Sequence, residues 1–168
     1  DLPKNFKLVI TGGGRVAGGA IEVLEKTNIK RVSPEDFLST NFSEPVYTQL
    51  DVEDYVKRDD GASFDIPAFF KNPSGHSSNF MRYAAVADVY VACHYWDNRS
   101  PFIFSRGDVK NPDWNISLVA DVSCDIDGPV ATTLRPSTIA NPFYGYDAQS
   151  EEEVDFYKED CIGVMAVD

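Results

Sequence analysis

Apolar residues fall in short runs along the chain, and most runs are followed by an amphipathic stretch. Lys7-Leu8-Val9-Ile10 sits between Pro3 and Gly12-Gly13-Gly14 and reads as a buried strand. From Arg15 to about Lys26 the apolar positions are Val16, Ala20, Ile21, Val23 and Leu24, a spacing that predicts a helix lying on a sheet. Ile29–Val32 reads as a second short strand. Ser33-Pro34-Glu35-Asp36 then has the form of a helix start: a capping Ser, Pro at the first helical position and acids in the first turn. Glu44–Leu50 predicts a third strand.

Asp51–Gly75 mixes charge with Phe64, Phe69 and Phe70. It reads as an insertion: a strand or hairpin, then a short helix over Ile66–Phe70 that Asn72-Pro73 ends. Ser78–Ala87 predicts a helix, Asp88–Tyr95 a strand, and Pro101–Lys110 the start of another helix. Ser117–Cys124 predicts a central strand, and 125–149 a long loop punctuated by Gly and Pro. The acidic stretch Glu151–Asp160 leads to a last strand, Cys161–Val167. Short strands, apolar on both faces and alternating with helices, predict an α/β protein with a mostly parallel, doubly wound sheet. No internal repeat or low-complexity tract interrupts the pattern.

Length adds that 168 residues (18.7 kDa) suit a single domain. An apolar content of 43% supports a packed core. The 27 acidic and 15 basic residues give a net charge of −12 and a pI near 4.5. That balance argues against a nucleic-acid partner, which needs a basic surface. It does not weigh against one small anion held by backbone N–H groups. No apolar stretch approaches the roughly 18 residues of a membrane span. Cys93, Cys124 and Cys161 are odd in number and far apart, so a disulfide framework is not expected and a reducing cytoplasm is. Asn41-Phe42-Ser43 and Asn115-Ile116-Ser117 match the glycosylation pattern by chance on that reading. The chain opens on Asp1 and reaches strand-like sequence within a few residues, which reads as a domain cut from a longer polypeptide.

The chemistry concentrates at Thr11-Gly12-Gly13-Gly14-Arg15-Val16-Ala17, which follows a strand and opens a helix. Gly12, Gly14 and Ala17 fit G-x-G-x-x-A, the dinucleotide fingerprint of Rossmann-like folds. Gly12 permits the tight turn. Gly14 lets a pyrophosphate approach the backbone, and Ala17 lets the helix pack close to the sheet. The helix N-terminus offers free N–H groups and a positive dipole end. The alternative is a glycine-rich turn that binds nothing. A ribose-binding acid is expected about 20 residues on, at the end of the second strand. Ser33 stands there instead. With Lys30 and Arg31 beside it, this leans toward NADP, with NAD left open; a solvated strand edge is the competing reading of the two cations.

Asp121-Val122-Ser123-Cys124-Asp125 ends a central strand. Asp121, in mid-strand, reads as structural and bonded to a neighbouring loop, whereas Asp125 at the exit is the functional candidate, with a loop-capping role as its alternative. Cys93 and His94 point to opposite faces and form no metal pair. With two histidines in all, no zinc site is expected. No G-x-S-x-G elbow supports a Ser-His-Asp triad.

Four blocks carry a resemblance that spans nearly the whole chain: the Gly12–Ala20 turn; Phe64-Asp65 with Phe69-Phe70-Lys71-Asn72-Pro73 and Ser78-Asn79-Phe80; Tyr95-Trp96 with Pro101; and Asp121–Asp125 with Thr138–Asp147. They resemble the dinucleotide-binding domain of the saccharopine dehydrogenase family, in its lysine–oxoglutarate reductase branch, within the alanine dehydrogenase/transhydrogenase group. The resemblance implies one domain of a two-domain oxidoreductase that condenses lysine and 2-oxoglutarate reversibly to saccharopine, with hydride transfer to or from a nicotinamide. A substrate domain outside this chain would supply the usual catalytic Lys and His, and this domain alone would be inactive. By similarity Gly12, Gly14, Arg15 and Val16 face the pyrophosphate and Ser33 the adenosine ribose. Cys93, His94, Tyr95 and Trp96, with Val122 and Ser123, border the ribose and nicotinamide, and Asp125 matches an active-site Asp. Ser33 departs from the acid of the NAD-specific branch, and neither histidine matches a catalytic one. An alanine dehydrogenase-like domain and a non-catalytic dinucleotide-binding module are the alternatives. A homodimer, through an exposed strand or the face left for the missing domain, is also left open. An apolar patch including Phe102, Phe143 or Tyr144 is expected on that face.

Overall fold

The computed structural model describes residues 2–166. The first apolar run forms β1 (Lys7–Thr11), every residue of it buried. In chain order there follow α1 (Arg15–Leu24), β2 (Lys30–Arg31), α2 (Pro34–Ser39), β3 (Val46–Leu50), α3 (Val52–Tyr55), β4 (Val56–Arg58), α4 (Ile66–Lys71), β5 (His76–Ser78), α5 (Met81–Ala84), β6 (Val89–Ala92), α6 (Arg106–Val109), β7 (Leu118–Asp121), β8 (Tyr144–Asp147), β9 (Glu152–Val154) and β10 (Ile162–Met165).

Eight of these strands make one sheet in the order β2-β3-β1-β6-β7-β10-β8-β9. The first six run parallel, β8 runs antiparallel to β10, and β9, antiparallel to β8, again runs with the six. The result is an α/β fold with a largely parallel central sheet and flanking helices, consistent with a Rossmann-like arrangement. Alternation along β1 divides the core. Leu8 and Ile10 pack with Ala17 and Ile21 of α1, and Val9 lies in the larger cluster with Phe37 of α2 and Tyr83 of α5. Right-handed crossovers account for this: the chain steps outward from β1 to β2, then back inward to β3, so α1 and α2 lie on opposite faces.

That return step leaves no mark in the strand pattern. An acid expected at the end of the second strand serves a site on β1 only where those two strands are neighbours. Instead β3 pairs with β1, Lys7 opposite Val46 and Thr11 opposite Leu50, and β2 is pushed to the sheet edge. Further differences are local. The helix expected over Ser78–Ala87 is helical only at Met81–Ala84, because Ser78 is drawn into the β4–β5 hairpin and the Asn79 N–H donates to Tyr55 O. The loop expected over 125–149 contains β8, and the acidic stretch contains β9. The last strand ends at Met165; Val167, expected within it, lies outside the described residues. Among the described residues no helix is long and apolar enough to cross a membrane.

Lys7, which has no evident role in the sequence, is buried in β1. Its Nζ donates to Phe37 O (2.6 Å) and Thr40 O (3.1 Å), closing the C-terminal end of α2. Desolvation lowers its pKa, and the carboxylate of Asp88 acts against that shift.

Candidate functional site

The glycine turn joins β1 to α1 at the C-terminal edge of the parallel strands. Gly12 has φ +112°, and a Cβ there would lie 2.5 Å from the Cys93 carbonyl oxygen. The turn therefore rests directly on the exit of β6, and only glycine fits. Gly14 is different: its φ is −90° and a Cβ would meet nothing within 4 Å. No side chain caps α1, so its first-turn N–H groups have no capping partner, and the space at Gly14 is open. Arg15 and Val16 are exposed beside them, and Ala17 is fully buried against the sheet.

The turn opens into a cavity of about 770 Å³, within the range of small-molecule sites. Its walls come from four places: Gly12–Val16; Asp51, Val52, Tyr55 and Val56 after β3; Cys93–Asp97 and Arg99–Pro101 after β6, with Ile103; and Ile66, Phe69, Phe70 and Pro73 of the insertion. Of the residues singled out in the sequence, Gly12, Gly14, Arg15, Val16, Cys93, His94, Tyr95 and Trp96 all line it.

Ser33 does not. It is exposed at the start of α2, where its Oγ accepts from Asp36 N–H (3.1 Å) and donates to the Asp36 carboxylate (2.8 Å). Lys30 and Arg31, on the edge strand, are engaged with Glu44 (2.6 Å) and Gln49 (2.6 Å). Asp51, directly after β3, is instead the acid at the end of the strand that neighbours β1, and it lines the cavity. A Cβ on Gly13 would come 2.7 Å from Asp51 Oδ1. The sequence signal was an acid closing an apolar strand. It could be read only once β3 was known to neighbour β1.

Val122, Ser123 and Asp125 also lie outside the cavity, beyond the end of β7. The chain leaves extended geometry at Asp121, where Oδ1 accepts from the N–H groups of Ser123 and Cys124 (3.1 Å each) and Cys124 takes φ +50°. In an extended strand Asp121, Ser123 and Asp125 would share one face; the turn after Asp121 removes that arrangement. Asp121 is buried and structural as expected: Thr133 Oγ1 donates to its other oxygen at 2.6 Å. Desolvation raises its pKa, and these hydrogen bonds act in the opposite direction. Ser123 Oγ donates to His94 O (3.0 Å) and so ties the exits of β6 and β7 together, while Val122 and Asp125 are exposed.

His94 is buried on the cavity wall. Its Nδ1 lies 2.8 Å from Thr11 Oγ1, which lies 2.8 Å from Tyr90 Oη. Its Nε2 is buried without a partner. Burial lowers its pKa to about 4 and raises that of the Cys93 thiol to about 11, so both are neutral at pH 7. Tyr95 is 82% exposed. Trp96 Nε1 donates to Pro101 O, and Arg99 on the rim pairs with Asp97 (2.8 Å). Among the described residues no group of three or more His, Cys, Asp or Glu side chains could hold a metal ion.

No protein-family model matches the chain. It is 25% identical over 182 residues to an alpha-aminoadipic semialdehyde synthase of Arabidopsis thaliana, covering 95% of this chain and 17% of that protein. It is 27% identical over 178 residues to the mitochondrial alpha-aminoadipic semialdehyde synthase of Mus musculus, covering 89% and 19%. The corresponding Rattus norvegicus protein is 28% identical over 177 residues, covering 88% and 19%. The chain is a distant homologue of the saccharopine dehydrogenase/aminoadipic semialdehyde synthase family. It spans less than a fifth of the length of these synthases. The link is to saccharopine dehydrogenase-like oxidoreductases as a group.

Proposed function

We propose that this chain is the dinucleotide-binding domain of a saccharopine dehydrogenase-like oxidoreductase, and that it holds NAD(H). The observation that carries the reading is the open cradle at Gly14 and the uncapped start of α1, facing Asp51 across one cavity. In this reading the first-turn N–H groups and Arg15 hold the pyrophosphate. The Asp51 carboxylate accepts from the ribose hydroxyls, and it repels a 2′-phosphate. This reverses the lean toward NADP, which rested on Ser33, Lys30 and Arg31, all now placed away from the cavity.

The bound cofactor supplies hydride transfer. The chain's own residues bind and orient it. The reaction that the resemblance implies, reductive condensation of lysine with 2-oxoglutarate, needs the substrate held opposite the nicotinamide. The exits of β6 and β7, with Val122 and Asp125 exposed and Ser123 half-buried between them, would form one side of that space, and a further domain the other.

Calorimetric titration with NADH and with NADPH tests the reading. NADH should bind more tightly, and Asp51→Ser should narrow the preference by about tenfold. Gly14→Val should abolish binding, because the added side chain fills the cradle. Tighter binding of NADPH would overturn the role of Asp51. Binding of neither would overturn the dinucleotide reading.

A further inference from the structure

We infer that a second cavity, beside the β8–β9 hairpin, is a binding site for an organic cation, and that the group it takes is a guanidinium. The cavity measures about 610 Å³, and its lining includes Asn141, Phe143, Glu153, Asp155, Phe156 and Tyr157. It shares no residue with the cavity at the glycine turn. Its strands also lie toward the opposite edge of the sheet from β3 and β1. The inference therefore stands apart from the dinucleotide reading.

Three aromatic rings meet there. Phe156 packs directly on the sheet: a Cβ on Gly163 would lie 2.7 Å from its Cε2, so the ring occupies the space that a side chain in β10 would fill. Phe143 leans over Phe156 (centroids 5.2 Å, planes 35° apart). Tyr157 stands nearly perpendicular to Phe156 (5.2 Å, 86°), so the ring planes turn a corner. Phe143 is 45% exposed and Tyr157 88% exposed. Exposed aromatic groups gathered at one concave place mark a ligand surface. The Asp155 carboxylate sits in the same lining. Its Oδ1 accepts from Tyr157 N–H at 2.8 Å and its carbonyl accepts from Lys158 N–H at 3.0 Å, a turn that holds acid and ring side by side.

Charge decides what these rings receive. Glu151–Asp160 carries six acids and one Lys. The nearby cations are already engaged: Lys158 pairs with Asp147, and Arg135 with Glu153. Asp155 has no ion-pair partner among the described residues. Ring faces and a carboxylate both repel anions and both attract a cation. An uncharged apolar ligand would cover the rings and leave Asp155 unanswered. The same hairpin shows which cation suits such a pair. The Arg135 guanidinium lies 4.7 Å from the centre of the Tyr144 ring, while Nε and Nη2 donate to the two Glu153 oxygens at 2.7 and 2.6 Å. A planar, forked cation serves ring and carboxylate at once, which an ammonium does less well. Asp155 with Phe143 and Tyr157 offers the same two components to a guanidinium from outside.

The test is titration of the chain, followed by amide NMR, with ethylguanidinium, with its neutral isostere ethylurea, and with the peptide acetyl-Gly-Arg-Gly-amide. Ethylguanidinium should shift the amides of Phe143, Phe156 and Tyr157 with a Kd of roughly millimolar order, and leave those of the glycine turn in place. Ethylurea should bind at least about tenfold more weakly. Asp155→Asn keeps the acceptor for Tyr157 N–H and removes the charge, and should weaken ethylguanidinium about tenfold. Tyr157→Ala should weaken it about fivefold. Both side chains are exposed, so thermal unfolding of the variants should match the wild type. A peptide that binds at least about fivefold more tightly than ethylguanidinium assigns the site to an arginine of a partner polypeptide; equal affinity assigns it to a free small cation. Ethylurea binding as tightly as ethylguanidinium refutes recognition of charge. Affinity unchanged in both variants, or no shift at these amides, refutes the site and leaves the dinucleotide reading untouched.

Discussion

At residue scale, buried polar side chains show what a one-dimensional pattern conceals. Lys7 looks like a charge at the margin of an apolar run, yet it closes a helix through carbonyls 30 and 33 residues away. His94 follows an apolar strand with no partner evident in the sequence, yet it is a buried neutral group joined through Thr11 to Tyr90. Its partners could not be read from the sequence, because they converge only when β1 and β6 pair. The burial has a thermodynamic signature. In the unfolded chain His94 takes a proton near pH 6.5, and in the folded protein near pH 4. Between these values the unfolded state binds more protons, so this contribution to stability is full above about pH 6.5 and falls as pH drops toward 4. His94→Gln should shrink the difference in unfolding free energy between about pH 7 and pH 4.5 by about 2 kcal/mol, measured by urea denaturation. Equal acid losses in both proteins would show that His94 is not held neutral.

At the scale of elements, existence was more legible than neighbourhood. The strands β1, β3, β6, β7 and β10 and the helices α1 and α2 follow from their periodicity and caps. The return of the chain from β2 to β3 does not, because parallel strands are joined by crossovers whose direction leaves no mark on either strand. That step separated Ser33 from the cavity and put Asp51 in it. Ser33→Ala should therefore leave NADH affinity unchanged and lower stability by about 1 kcal/mol through the lost cap, as thermal unfolding and titration would show. A tenfold loss of affinity would return Ser33 to the site. The strand β8 was hidden for a different reason. Tyr144 and Tyr146 alternate as strand residues should, but Gly145 between them reads as a turn. It is glycine because a Cβ would lie 2.7 Å from Asp155 O and 2.8 Å from Cys161 Sγ, a close approach in mid-strand.

For the whole molecule, the cavity covers only part of what the proposed reaction, hydride transfer to a second substrate, would require. It ends before the exit of β7, where Val122 and Asp125 are exposed to solvent. The chain should therefore bind NADH without consuming it. Steady lysine- and 2-oxoglutarate-dependent loss of NADH absorbance on adding the chain alone would show that it completes the site by itself. Of the apolar side chains expected on the face left for a partner domain, Phe102 and Phe143 are exposed and Tyr144 is buried, its hydroxyl donating to Thr132 O.

The sheet's two rims have a consequence for how copies of the molecule meet. One ends on the two residues of β2, Lys30 and Arg31, and the other on the three of β9, with Glu152 and Glu153. Each rim is short, charged and occupied by local ion pairs, Lys30 with Glu44 and Arg135 with Glu153. Such margins offer few backbone groups as a template and strip water from charges when another strand approaches. Extension of the sheet from molecule to molecule is thus disfavoured at both of its edges.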